Sequence, residues 1–369
     1  MKRLYSFLIL IFIFCRIADA QQWEQLGKSS YKLKGGPIRA IYADTNGNVY
    51  AGIGAVREDI TKGKFFKCSN TKASELKSFP YYNQNMVIEY ILEGNNSKLY
   101  IAGYYFQRVS QTDSHHELRS FIVEYNGKTW KNLLKDEPGY ISSICIDNSG
   151  NIYATGLYIT KDPNDCVAKW NGKTWAPVMI DKETPFFVGL SPHLCTGPDG
   201  TLYVADDPKG HPGWNVIKWN GKEKTILGDS THSLNANGKI HSICCDKNGH
   251  VYVAGNFTNK HHNNYVAVWD GKNWSELGGE NTLQANKQIN ILCTDNSGNL
   301  YATGHFTNKN KKLYIAHWDG KNWSELGGTN ALHINDFIIS ICIDVHGNVY
   351  TAGYFSSSKR NRYIAVYRK

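Results

Sequence analysis

Glu89 and His241 are the residue types that proton transfer needs, a carboxylate to act as base and an imidazole to act as acid. Asp206 and Asp207 are the further carboxylates that a glycoside-cleaving pair would draw on. Arg39, Asn290, His211 and Trp214 add charged, amide and aromatic groups of the kind that hold a polar ligand. Other chemistry is excluded by missing patterns. The chain has no phosphate-cradling Walker loop, no H-E-x-x-H helix and no G-x-S-x-G elbow. It has no C-x-x-C, so a zinc ribbon is excluded and no cofactor is expected. His115-His116 and His261-His262 read as solvated loop pairs. Arg39, Arg57 and Arg108 are too few and too scattered for a site that clamps an acidic sugar.

These residues sit in a repeating frame. The segment from Ile240 to Gly278 and the segment from Ile289 to Gly327 are near copies. The frame recurs at Tyr50, Tyr100, Tyr153, Tyr203, Tyr252, Tyr301 and Tyr350, with spacings of 50, 53, 50, 49, 49 and 49. Each copy reads as four short strands, A to D. Strand A is apolar, as in residues 141–146, and a D-x-x-G-N turn follows it. Strand B alternates, and strand C ends at an aromatic before Asn-Gly or Asp-Gly, a hairpin-turn signal. Strand D opens on Trp175, Trp274 or Trp323 in three copies. No stretch carries a sustained 3.6-residue apolar period, so very little helix is expected. Four antiparallel strands per copy, seven times over, predict an all-β, seven-bladed β-propeller.

Composition agrees. Hydrophobic residues are 41%, charged residues 20% and aromatics 13%, which excludes disordered, collagen-like and coiled-coil chains. Lys2 and Arg3, an apolar run over residues 4–15 and Ala18-Asp19-Ala20 read as a signal peptide cleaved between Ala20 and Gln21. The apolar run is short for a membrane span, and no later segment reaches that length, so a secreted protein without a transmembrane segment is expected. Cleavage removes Lys2, Arg3, Arg16 and Asp19 and lowers the net charge from +9 to +7. That charge is spread out, with no basic run interleaved with aromatics, so nucleic acid is not an expected partner. Asn95, Asn256, Asn273 and Asn322 lie in N-x-S/T sequons.

The ends test the ring. The last copy stops at Tyr367-Arg368-Lys369, before its strand D, while Trp23-Glu24-Gln25 aligns with a strand D. The N-terminal strand is therefore expected to complete the last blade and leave no open edge. One domain, 21–369, and a monomeric ring follow.

The repeat I-x-x-I-C-x-D-x-x-G-N-x-Y … Y-V-A-x-W-D/N-G-x-x-W-x-E-L-G resembles the tandem propeller repeats of secreted bacterial proteins. Its turn also looks like NHL-type repeats, as in residues 200–206. The resemblance spans nearly all of the mature chain and implies a propeller that binds ligands at the cell surface. It names no reaction.

Seven copies act as an internal alignment. Recurrent columns, the strand B Tyr, the turn Gly and the Trp residues, are read as scaffold packed between blades. Cys145, Cys195, Cys244, Cys293 and Cys342 form one strand A column. Sheets packed ~10 Å apart put such residues beyond the ~7 Å reach of a disulfide, so they are read as buried small hydrophobes, with Cys245 pointing to the opposite face. The B-to-C and D-to-A connections gather on one face and vary in length, which marks a binding face. A variable column opens strand A: Arg39, Glu89, Ser142, Pro192, His241, Asn290 and Ile339. This column is placed at the mouth of the central channel. Blade four departs furthest, with Asp206 in place of a recurrent Gly and Asp207, His211 and Trp214 in its loop. The expected function is recognition of a glycan or protein ligand through Arg39, Glu89, His241, Asn290, Asp206, Asp207, His211 and Trp214. The alternatives are a lactonase-, lyase- or glycosidase-like propeller using Glu89 and His241, or a structural module.

Overall fold

The computed structural model describes residues 22–27, 33–34, 36–54, 62–82, 84–108, 116–156, 167–178, 192–206, 213–228, 232–332, 334, 336–358 and 361–369. The expected signal peptide and its cleavage point, most of the blade 3 and blade 4 B-to-C loops, and Asp207 and His211 lie outside them. Seven four-stranded antiparallel sheets form the blades of a ring. The only helical turns among the described residues are the 3-10 segments Gly279–Asn281 and Gly328–Asn330.

Strand A of blades 1 to 7 spans Ile38–Ala43, Met86–Glu93, Ile141–Ile146, His193–Thr196, Ile240–Cys245, Ile289–Thr294 and Ile338–Ile343. The A strands of neighbouring blades pack on one another and line the central channel. Each blade has an apolar face, and cores form where two blades meet. Tyr252 and Ala254 of blade 5, for example, pack on Leu292, Leu300 and Ala302 of blade 6. Strand A is stitched to the next blade as well. Backbone N–H groups of Ile41, Leu194 and Leu292 donate to Ser340, Ser143 and Ser242 hydroxyls at 3.0, 3.0 and 2.9 Å.

The recurrent turn is centred on a buried carboxylate. Asp295 Oδ1 accepts the N–H groups of Ser297 and Asn299, both at 2.9 Å. Its Oδ2 accepts Asn299 Nδ2 at 2.7 Å and Tyr301 Oη at 3.2 Å. Asp147 and Asp344 repeat all four bonds. This is why Asp, Asn and Tyr recur together. The turn glycine has φ of +80° at Gly150 and +90° at Gly298, a left-handed backbone that favours glycine. The strand D Trp is scaffold too. The indole N–H groups of Trp175 and Trp274 donate to Leu133 O and Leu227 O, both at 3.0 Å, in the preceding blade.

The ring closes as expected. Trp23, Glu24 and Gln25 pair with Tyr367, Val366 and Ala365. Leu33–Lys34 adds a second pairing, to Asn361–Arg362. Lys369 Nζ then reaches Asp295 in blade 6 at 2.9 Å.

Two details differ from expectation. The C-to-D hairpins are not two-residue turns: Trp269 pairs with Trp274, so four residues intervene and Asp270 caps them. Blade 2 has longer strands, Leu99–Arg108 and His116–Tyr125, than the short ones expected of each copy. Cys245 points to the opposite face from Cys244, as expected, since Cys244 packs in the core towards blade 6. Cys245 Sγ lies 3.3 Å from Cys195 Sγ across the blade 4–5 interface, because the interface joins neighbouring A strands about one residue out of step.

Candidate functional site at the channel mouth

The variable column at the start of strand A has a structural identity. In blade 1 the pairing jumps from Ile38 to Ala40, so Arg39 is the extra residue of a β-bulge. Glu89, Ser142, His241, Asn290 and Ile339 occupy the same bulge in blades 2, 3, 5, 6 and 7. A bulge frees one residue from the alternation of the strand and re-aims its side chain. Six blades thus present one unpaired residue each around the mouth.

Glycine at the end of strand B makes room for the bulge. A Cβ on Gly255 or Gly304 would sit 1.9 or 2.3 Å from the carbonyl oxygen of Lys239 or Gln288. Blade 1 tolerates Ile53 at this position. Blade 4 has Asp206 there, paired with Asn215 of strand C. Asp206, expected at the ligand-facing surface, is fully buried at the end of strand B. Trp214 is half-buried and bridges to Ala236, with Lys239 Nζ 5.8 Å from the centre of its ring.

The mouth is chemically divided. On one side Arg39 and Glu89 face each other at 3.6 Å. Burial raises the Glu89 pKa and the Arg39 charge opposes that shift. Beside them the structure satisfies its own groups: Ser142 and Thr155 hydroxyls meet at 2.9 Å, and Thr155 donates to Pro192 O at 3.0 Å. On the other side blades 4 to 6 gather His193, His241, Lys239 and His305. Burial, with the Lys239 and His241 charges, holds the His193 pKa down at about 4. Burial, Lys239 and His305 lower His241 likewise. His305 rests on Phe337 with ring centres 4.5 Å apart, and Phe337 is 43% exposed.

Four buried side-chain atoms here have no hydrogen-bond partner among the described residues: Arg39 Nε, Asn85 Oδ1, His241 Nε2 and Asn290 Oδ1. Asn85 immediately precedes strand A of blade 2, and the other three are bulge residues. Of the sequence-predicted residues, Arg39 and Glu89 are brought into direct contact. His241 lies in blade 5, with blades 3 and 4 between it and Glu89 of blade 2. His193, Lys239 and Asn85 were missed. Each lies within four residues of a singled-out position, and the electrostatic contacts of His193 and Lys239 with His241 place those two at the mouth. Among the described residues no group of three His, Cys, Asp or Glu is placed to hold a metal ion. No helix among them is long and apolar enough to cross a membrane.

No protein-family model matches the chain, and no curated protein matches its sequence. Solved structures show the fold. YCF48 bound to D1 peptide superposes with a TM-score of 0.56 at 10% identity, covering 95% of this chain and 96% of that one. Sqt1 of Chaetomium thermophilum, bound to the N-terminus of the ribosomal protein L10, gives 0.55 at 11% identity, covering 92% and 98%. A polysaccharide lyase of the ulvan lyase family PL25 gives 0.52 at 14% identity, covering 92% and 95%. At these identities the likeness is one of fold, and that fold serves both binding proteins and enzymes.

Proposed function

We propose that this chain is an exported, monomeric binding propeller that receives a polar polypeptide segment at the channel mouth. The observation that carries the reading is the set of four unpartnered buried atoms. Unsatisfied buried polar atoms are few in native proteins, and a cluster of them calls for a bound group. They offer both donors and acceptors, as an extended backbone with alternating N–H and C=O groups requires. Exposed Phe337 adds an apolar contact beside them. Two of the superposed propellers hold peptide or protein segments, which agrees with this reading. A glycan offers hydroxyls that also suit such atoms, but a half-ring of histidines and lysine with one exposed phenyl ring fits a polypeptide better. Export rests on the leader-like residues 2–20.

Selection from a displayed random-peptide library tests the proposal. Peptides enriched on the wild-type chain should lose about tenfold or more in affinity on a His241→Ala, Asn290→Ala double variant. Peptides bound equally well by both proteins would sink it.

A further inference from the structure

A second kind of site lies on the outer rim. Two crevices, of about 500 and about 340 Å³, open beside the strand C–D hairpins of blades 6 and 5. Both volumes fall within the usual range of small-ligand sites. Their linings correspond at the 49-residue period. Tyr314 and Tyr265, Trp323 and Trp274, Glu325 and Glu276 occupy equivalent places.

Each crevice is built and rigid. Asn308 Nδ2 donates to both oxygens of Glu325 at 3.1 and 3.0 Å, and Asn259 Nδ2 to both of Glu276 at 3.0 and 3.2 Å. Thr282 Oγ1 donates a third hydrogen bond to Glu276 at 2.5 Å. Tyr314 and Tyr265 stand edge-to-face on Phe306 and Phe257, both at 4.9 Å. The Trp indoles are pinned by their N–H bonds to Leu277 O and Leu227 O. Burial and the neighbouring carboxylate raise both phenols, Tyr314 to about 12, so they remain donors. Yet neither phenol hydrogen-bonds to its glutamate or to any other described residue.

The arrangement is not a requirement of the blade. Blade 1 has Lys64 in place of the tyrosine, and it pairs with Glu75 at 3.9 Å. Blade 3 has Pro177 in place of the glutamate, and blade 4 has Ile226. Among the described residues only blades 5 and 6 set an unbonded phenol beside an oriented carboxylate. A ligand hydroxyl satisfies that pair by accepting from the phenol and donating to the carboxylate, while a tryptophan ring takes the C–H face of a sugar. A carboxylate or phosphate would be repelled by the glutamate.

We infer that these crevices are a pair of equivalent binding sites for neutral saccharides, independent of the channel mouth. The test is retention of the full chain on immobilised neutral oligosaccharides of the β-glucan, galactan, mannan and chitin classes. At least one class should retain the protein, and titration with its soluble form should give two sites per chain. Tyr265→Phe or Tyr314→Phe alone should leave one site. The double variant, with an unchanged melting temperature, should lose about tenfold or more in affinity. Retention on none of these classes overturns the inference. So does retention unchanged by the double variant, and loss only on His241→Ala, Asn290→Ala would assign sugar binding to the mouth instead.

Discussion

The carboxylate at the centre of each A-to-B turn does more than cap it. Asp147 gathers two backbone N–H groups, Asn151 Nδ2 and Tyr153 Oη, and is buried among them. Asp147→Ala strands these donors in a dry site, and a loss of about 2–4 kcal/mol in denaturant unfolding is expected. Histidine titration supplies a second residue-scale outcome. The His193 pKa falls from 6.5 to about 4 on folding, so between these values the unfolded chain binds the extra proton. Stability should therefore fall as pH drops from 6.5 towards 4. Comparing wild type with His193→Gln isolates this contribution, and the variant should show a flatter profile by roughly 1–2 kcal/mol, allowing for partial exposure of the ring. Identical profiles would contradict the buried, neutral state of His193.

At the scale of elements, the seam strand and the bulge matter most. Trp23 pairs with Tyr367, and its indole N–H donates to Leu326 O at 3.2 Å. Trp23→Ala should cost about 3–5 kcal/mol and speed amide exchange in residues 365–367, whose strand would become a free edge. Gly304→Ala tests the bulge, because the added Cβ meets Gln288 O at 2.3 Å. A loss of about 2 kcal/mol or more is expected by chemical denaturation, while Gly298→Ala reports the separate cost of its positive φ. The strands, their order and the closing N-terminal strand were legible in the sequence because copies of one blade align against each other. The bulge was not, since Ile240 and Ile243 are apolar whether or not His241 is skipped. Asp206 was read as ligand-facing because it broke a glycine column. The column marks where the bulge brings two backbones together, as at Gly255 and Gly304. The Cys195–Cys245 contact was illegible for a related reason: residues on different blades meet by interface register, not by repeat position.

At the scale of the whole molecule, seven similar blades make a ring whose symmetry is broken where strand A begins. The repeat conserves its turns, tyrosines and tryptophans for packing and leaves the bulge residue free to differ from blade to blade. Satisfied groups, Ser142, Thr155 and Pro192 O, fill one arc of the mouth. Unpartnered His241 and Asn290 occupy the other. The proposed polypeptide ligand is placed at this arc, where those atoms await a partner. Hydrogen–deuterium exchange of the chain with and without a library-selected peptide tests this most directly. Protection is predicted at the starts of strand A in blades 5 and 6, residues 239–242 and 288–291, and around Phe337. Protection confined to the A-to-B turns on the opposite face would contradict the account.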